Sequence, residues 1–220
     1  MIQDLQEISD GKIYGTNDMA KVACADCAGC HACCEDMGSS IVLDPYDMYR
    51  LACGLPKSAE ELLAGELELQ VQDGVILPDI RMKERDGGVP ACPFLNEEGR
   101  CRIHAFRPGL CRVFPLGRIY EENGVSYFLQ KDACKKGTGS KMKVSRWLDT
   151  PDLKRYHKFL SDWHHLRKKL EQIAAGQDEM TAKQVNLLCL KLFYLKPYEK
   201  DVDFYAQFEE RLAQMTDLSA

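Results

Sequence analysis

Cys24-Ala-Asp-Cys27-Ala-Gly-Cys30-His-Ala-Cys33-Cys34 puts five cysteines into eleven residues, and the rest of the chain reads as a support for them. Thiolates three residues apart, separated by small residues that let the backbone turn tightly, can converge on one centre, so the stretch has a metal-binding spacing. Adjacent Cys33 and Cys34 add a second feature. Neighbouring side chains on extended backbone point to opposite sides, so the pair is expected to feed two neighbouring sites rather than one.

Eleven cysteines in 220 residues is sparse for a disulfide scaffold, and a chain of this length buries a core without staples. The first fifteen residues, MIQDLQEISDGKIYG, are polar and acidic with no apolar h-region, and no window approaches 18 apolar residues. The expectation is a soluble cytoplasmic protein, where clustered cysteines serve metals or catalysis more often than disulfides. The chain carries a formal charge of −5, unevenly spread. Residues 135–169 hold eleven Lys or Arg against three acids, a net +8 that leaves −13 elsewhere. A solvated helix face explains such a run better than a nucleic-acid surface, and a charge partner for anionic thiolate centres is the other option.

Taken in order, residues 1–23 read as an irregular or short helical lead-in. Ser40–Leu43 suggests a short strand. Asp44-Pro45 opens a helix over Tyr46–Cys53, closed by Gly54, and Ser58 with Glu61 marks a capped helix to about Leu63. Leu67–Gln72 and Val75–Ile80 flank Asp73-Gly74 as a hairpin, with Leu67, Leu69 and Val71 expected on the core side. A second hairpin spans residues 116–131, with Asn123-Gly124 as its turn. Thr150-Pro151 is expected to start a helix whose Leu153, Tyr156, Leu160, Trp163, Leu166 and Leu170 share one face. A further helix should begin at Thr181, capped with Gln184, and stop before Pro197; its apolar middle predicts burial on several sides. A last helix covers DVDFYAQFEERLAQM. These readings sum to an α+β fold: residues 1–23 as lead-in, 24–139 as a cysteine module and 140–220 as helices packed on it.

The remaining chemistry lies between residues 92 and 139. Cys92-Pro-Phe-Leu and Cys101-Arg-Ile-His104 flank a turn-forming loop that would bring two thiols together like the arms of a clip. Arg107-Pro-Gly-Leu-Cys111-Arg112-Val-Phe-Pro and Cys134-x-x-Gly137-x-Gly139 follow. Together with Cys27-x-x-Cys30-x-x-Cys33-Cys34, these motifs resemble the bacterial YkgJ-like cysteine-cluster family, described as a zinc- or iron-chelating domain. They are similar also to the cysteine-rich module of flagellin lysine N-methylases. The resemblance covers roughly residues 24–139. It departs from the family at His31 and His104, where the family carries a glycine and an aromatic, and both departures set a possible extra ligand beside a cluster.

The resemblance implies eight ligands: Cys27, Cys30, Cys33, Cys34, Cys92, Cys101, Cys111 and Cys134, enough for two four-thiolate sites. Cys24 is either a spare ligand or an idle thiol. Arg107 and Arg112, and Arg118 after them, would offset the negative charge of an all-thiolate centre. Sulfur coordination suits zinc and iron–sulfur alike, but Cys-x-x-Cys-x-x-Cys is the spacing by which ferredoxin-type loops reach three corners of a [4Fe-4S] cube, whereas zinc sites more often pair separate knuckles. One or two [4Fe-4S] clusters, in a redox or electron-transfer role with a protein partner, are therefore expected; a zinc-held interaction module is the alternative. Lysine methyl transfer is a third reading that rests on the family likeness alone, since no Gly-rich strand–loop–helix for S-adenosylmethionine is present. Neither a membrane nor nucleic acid is expected as a partner. Cys53 and Cys189, among apolar helical neighbours, read as small core residues, and His157, His164 and His165 as packing or surface groups.

Overall fold

A computed structural model describes residues 5–23, 30–85, 88–122, 124–135, 139–176 and 178–218. Helices and small antiparallel sheets share two cores, so the architecture is α+β. The first core gathers α2 (Pro45–Gly54), α3 (Ala59–Gly65), a hairpin of β3 (Leu67–Gln72) and β4 (Val75–Ile80), and the C-terminal helices α6 (Leu153–Gly176), α7 (Glu179–Leu190) and α8 (Phe204–Leu218). The second lies under β5 (Leu116–Glu121), β6 (Gly124–Gln130) and α5 (Val144–Leu148), and Tyr127, Leu116 and Val144 are buried in it.

Residues 5–23 are more ordered than the sequence suggested. After a single helical turn, α1 (Leu5–Ile8), they form β1 (Ser9–Tyr14) and β2 (Met19–Ala23). β1 pairs antiparallel with β6, giving the sheet order β1-β6-β5, and β2 pairs with β7 (Ser140–Lys143). Short polar strands such as SDGKIY carry little apolar alternation, and it is the long-range partner that makes them strands. Ser40–Leu43, in turn, is only a bridge: Val42 pairs with Asp79 beside β4, while Leu43 N–H donates to the Pro78 carbonyl at 2.9 Å.

Helix starts were legible where a side chain caps locally. The Asp44 and Asp47 side chains each accept from the other's backbone N–H as a capping box around Pro45, and Ser58 and Glu61 do the same for α3. Two starts moved. α6 is capped by Asp152, whose carboxylate accepts from Arg155 N–H at 3.2 Å, because Thr150 is engaged elsewhere. α7 begins at Glu179 under Asp178, which accepts from the N–H groups of Met180 and Thr181. Asp178→Ala, which removes both capping hydrogen bonds, is expected to lower the urea midpoint at unchanged slope. A π-helical turn, Lys191–Leu195, then ends the segment before Pro197.

The 67–80 hairpin forms in the expected register, with Asp73 and Gly74 both at positive φ between Gln72 and Val75. Its buried face differs. Leu67 is buried, but Leu69 and Val71 are 48% and 69% exposed, because α6 and α7 pack against the Val75 and Leu77 side of β4. Leu187 on α7 is likewise exposed, so that helix is buried on one side only. In the second hairpin Glu121 pairs with Gly124, so Gly124 belongs to β6 rather than to the expected turn; Asn123 lies outside the described residues.

The basic side of α6 faces solvent and the α8 region, while Tyr156, Leu160, Trp163, Leu166 and Leu170 are buried as expected. Arg155 donates to Asp203 at 3.0 and 2.5 Å, and Lys158 reaches Asp162 and Glu209 at 2.7 and 3.1 Å. His164 stacks on Tyr120 with ring centres 4.2 Å apart, and His157 meets the Tyr127 hydroxyl at 2.8 Å. Among the described residues no helix is long and apolar enough to cross a membrane.

Candidate metal centre

Three separate segments carry the thiols together. The first is the 3-10 turn Ala32–Cys34, closed by Cys34 N–H donating to the His31 carbonyl at 2.8 Å. It is stitched to the second segment by backbone alone: Glu35 bridges Ala91, Asp36 N–H donates to the Pro90 carbonyl, and Cys92 N–H donates to the Cys34 carbonyl, the latter two at 2.8 Å. The Cys92–Cys101 loop then folds on itself, with Leu95 and Cys101 as a bridge pair and Arg102 N–H donating to the Phe94 carbonyl at 2.8 Å. Gly99 turns this loop at φ +70°, and a Cβ there would lie 2.8 Å from His31 Nδ1.

The third segment is the short helix α4 (Gly109–Val113), which carries Cys111. Its place is set from α2, since Gly109 N–H donates to Asp47 Oδ1 at 2.7 Å. Gly109 has no room for a side chain: a Cβ would meet Arg118 Nη2 at 2.7 Å and the Tyr156 hydroxyl at 3.0 Å. Val113, at the other end of α4, enters the second core, so the helix sits where the two cores meet.

Cys30, Cys33, Cys34, Cys92, Cys101 and Cys111 line one cavity of about 90 Å³. Its walls are apolar, from Ile41, Ile80, Leu95, Ile103 and Phe114, and its nitrogen-bearing side chains are Arg100, Arg107, His31 and His104. Arg107 Nη1 lies 2.5 Å from His104 Nε2, and His31 Nε2 lies 3.5 Å from Glu35. A smaller recess of about 30 Å³ adjoins the cavity and is lined by Cys30, Cys33 and Cys134. The Cys92, Cys101 and Cys111 thiols thus gather with the early run, and Cys134 joins it on the far side of Cys33. All nine described cysteines are free thiols. Cys24 and Cys27 lie outside the described residues.

Burial of so many thiols together controls their charge. Cys33 is lowered to about 6, first because the Cys34 thiol donates a hydrogen bond to it, with the Arg107 guanidinium helping. Cys34 is raised by that same hydrogen bond, by burial and by neighbouring sulfurs. Burial pushes Cys92 up to about 11 and raises Cys101 and Cys111 as well. Cys33 is therefore favoured to ionise over Cys34, Cys92, Cys101 and Cys111, and a cation entering the cavity has to displace protons from the thiols that burial raises. The donor set fits a thiophilic metal: soft sulfur in an apolar pocket, with guanidinium charge nearby. As the described side chains stand, no three His, Cys, Asp or Glu groups are close enough to hold a metal ion.

Arg112 lies elsewhere than the spacing suggested. It is buried behind α4, donating to Thr150 Oγ1 at 2.6 Å and to the Tyr156 hydroxyl at 3.2 Å, with the Tyr46 ring 5.6 Å away. Arg118 donates to the same hydroxyl at 2.9 Å. This network of Asp44, Asp47, Arg112, Arg118 and Tyr156 backs the Cys111 helix. Sequence reading missed it because its members are up to 112 residues apart and each has a plausible local role. Cys189 is fully buried in the core as expected, whereas Cys53 is exposed, on the solvent side of α2.

No curated protein and no solved structure matches the chain. A family described as "Putative zinc- or iron-chelating domain", CxxCxxCC, matches residues 26–136. That span takes in every thiol of the cavity and of the recess beside it, and just over half of the 220 residues, so the chain belongs to this CxxCxxCC family of metal-chelating proteins.

Proposed function

We propose that this protein holds iron–sulfur clusters of the [4Fe-4S] type and uses them in redox or electron-transfer work with a protein partner. The observation that carries the reading is the sulfur lining of the cavity: Cys30, Cys33, Cys34, Cys92, Cys101 and Cys111 border one apolar-walled space, more thiols than one four-coordinate ion takes. The Cys27-x-x-Cys30-x-x-Cys33 spacing agrees with it. In this reading Cys34, Cys92, Cys101 and Cys111 serve one centre, and Cys27, Cys30 and Cys134 serve a second with Cys33. The recess shared by Cys30, Cys33 and Cys134 supports that division. When bound, a cluster supplies one-electron chemistry, while the chain contributes the thiolates, the apolar walls and Arg107 to offset their charge.

The second reading is zinc held by the same thiolates as a structural centre, favoured by the family description, which names zinc beside iron. Purification without oxygen separates the two. A brown protein with iron and acid-labile sulfide, whose visible absorbance bleaches on reduction, is the expected result. Colourless protein with stoichiometric zinc would replace the first reading with the second.

A further inference from the structure

The outer edge of β3 is built to pair with another strand. Along β4, Ile76 N–H leaves the hairpin to donate to Asn186 Oδ1 at 2.8 Å, Pro78 accepts from Leu43 N–H, and Ile80 N–H donates to Ile41. These residues face away from β3, so their cross-strand partners Val71, Leu69 and Leu67 occupy the non-hydrogen-bonded positions of the ladder. The N–H and C=O groups of Leu67, Leu69 and Val71 therefore point outward, and among the described residues no backbone group pairs with them.

Glu68 is the one charge on the strand, and toward the turn nothing blunts this edge. Exposed edges are usually protected by lysine, proline, a bulge or a cover. Here the sequence is LELQVQ, the register runs unbroken from Leu67 to Gln72, and the two residues with outward backbone groups nearest the turn are apolar and exposed.

We propose that β3 pairs antiparallel with β3 of a second copy of this chain, about a two-fold axis at Gln70. The register is self-complementary. Leu69 falls opposite Val71 of the second copy, Glu68 opposite Gln72, and Gln70 opposite Gln70, so no like charges face each other and two apolar cross-strand pairs form. The outward groups of Leu69 and Val71 then bond one another. The two hairpins merge into a continuous four-stranded sheet, β4-β3-β3-β4.

The test is mass in solution by light scattering, with amide hydrogen exchange on the same protein. Wild type is expected at twice the 25.0 kDa chain mass, with slow exchange at the Leu69 and Val71 amides. Val71→Lys changes an exposed side chain and sets two ammonium groups near the axis, so it should raise the dissociation constant at least about tenfold. Leu69→Pro removes an outward donor without touching the β3–β4 ladder and should act the same way. A wild type that stays monomeric at the highest soluble concentration overturns the proposal. So does a dimer whose Leu69 and Val71 amides exchange freely and which both variants leave intact.

Discussion

Cys111→Ser should leave the purified protein with less than about a tenth of the wild-type metal, because an alcohol is a poor substitute for thiolate at a thiophilic centre. Cys111 is the informative position. It is the ligand candidate on a helix, and that helix is held by Asp47 and by both cores, so the backbone has no reason to move when sulfur becomes oxygen. Cys53→Ser is the matched control, since Cys53 is exposed on α2 and lines neither the cavity nor the recess. Metal analysis with far-UV circular dichroism reads both. Equal metal in Cys111→Ser and wild type would remove Cys111 from the centre, and equal loss in Cys53→Ser would mean that folding is being measured instead.

A second large effect concerns Asp79. Its side chain is buried, its carboxylate has no side-chain partner and only the backbone at Ile80 and Ile41 to hold it down, and its cross-strand neighbour is Glu68. Burial, with Glu68 behind it, pushes the carboxyl up to about 6 from 3.8. The folded protein therefore keeps this proton over a range in which the unfolded chain has already lost it. Stability from this group is complete below the unfolded value and declines as pH rises through the folded one. Asp79→Asn removes the titration, so the stability of the variant relative to wild type should grow by about 2–3 kcal/mol between about pH 4 and pH 7. Urea midpoints across that range measure it. A difference that stays flat with pH would show that Asp79 ionises in the folded protein without penalty.

How far the sequence revealed all this depended on where the deciding contact lay. Capping boxes at Asp44 and Ser58, and the Asp73-Gly74 turn, are settled within a few residues, and each formed where local chemistry put it. The clip between Cys92 and Cys101 was legible for the same reason. Strands β1 and β2 were not, because their partners are more than a hundred residues away and their own residues are mostly polar. Leu69 and Val71 mislead in the other direction: alternation says which residues share a face, but only the packing of α6 and α7 decides which face is covered. Arg112 shows the limit at the site itself. Its place next to Cys111 in sequence suggests charge compensation, while the helix turns it to the opposite side, toward Tyr156.

The pairing of β2 with β7 brings Ala23 against Ser140, so the chain enters and leaves the cysteine-bearing part through neighbouring points, about one strand spacing apart. The clasp thus ties the two ends of the cysteine-bearing part to each other, and the same part is tied a second time where α2, α3 and the β3–β4 hairpin pack on α6, α7 and α8.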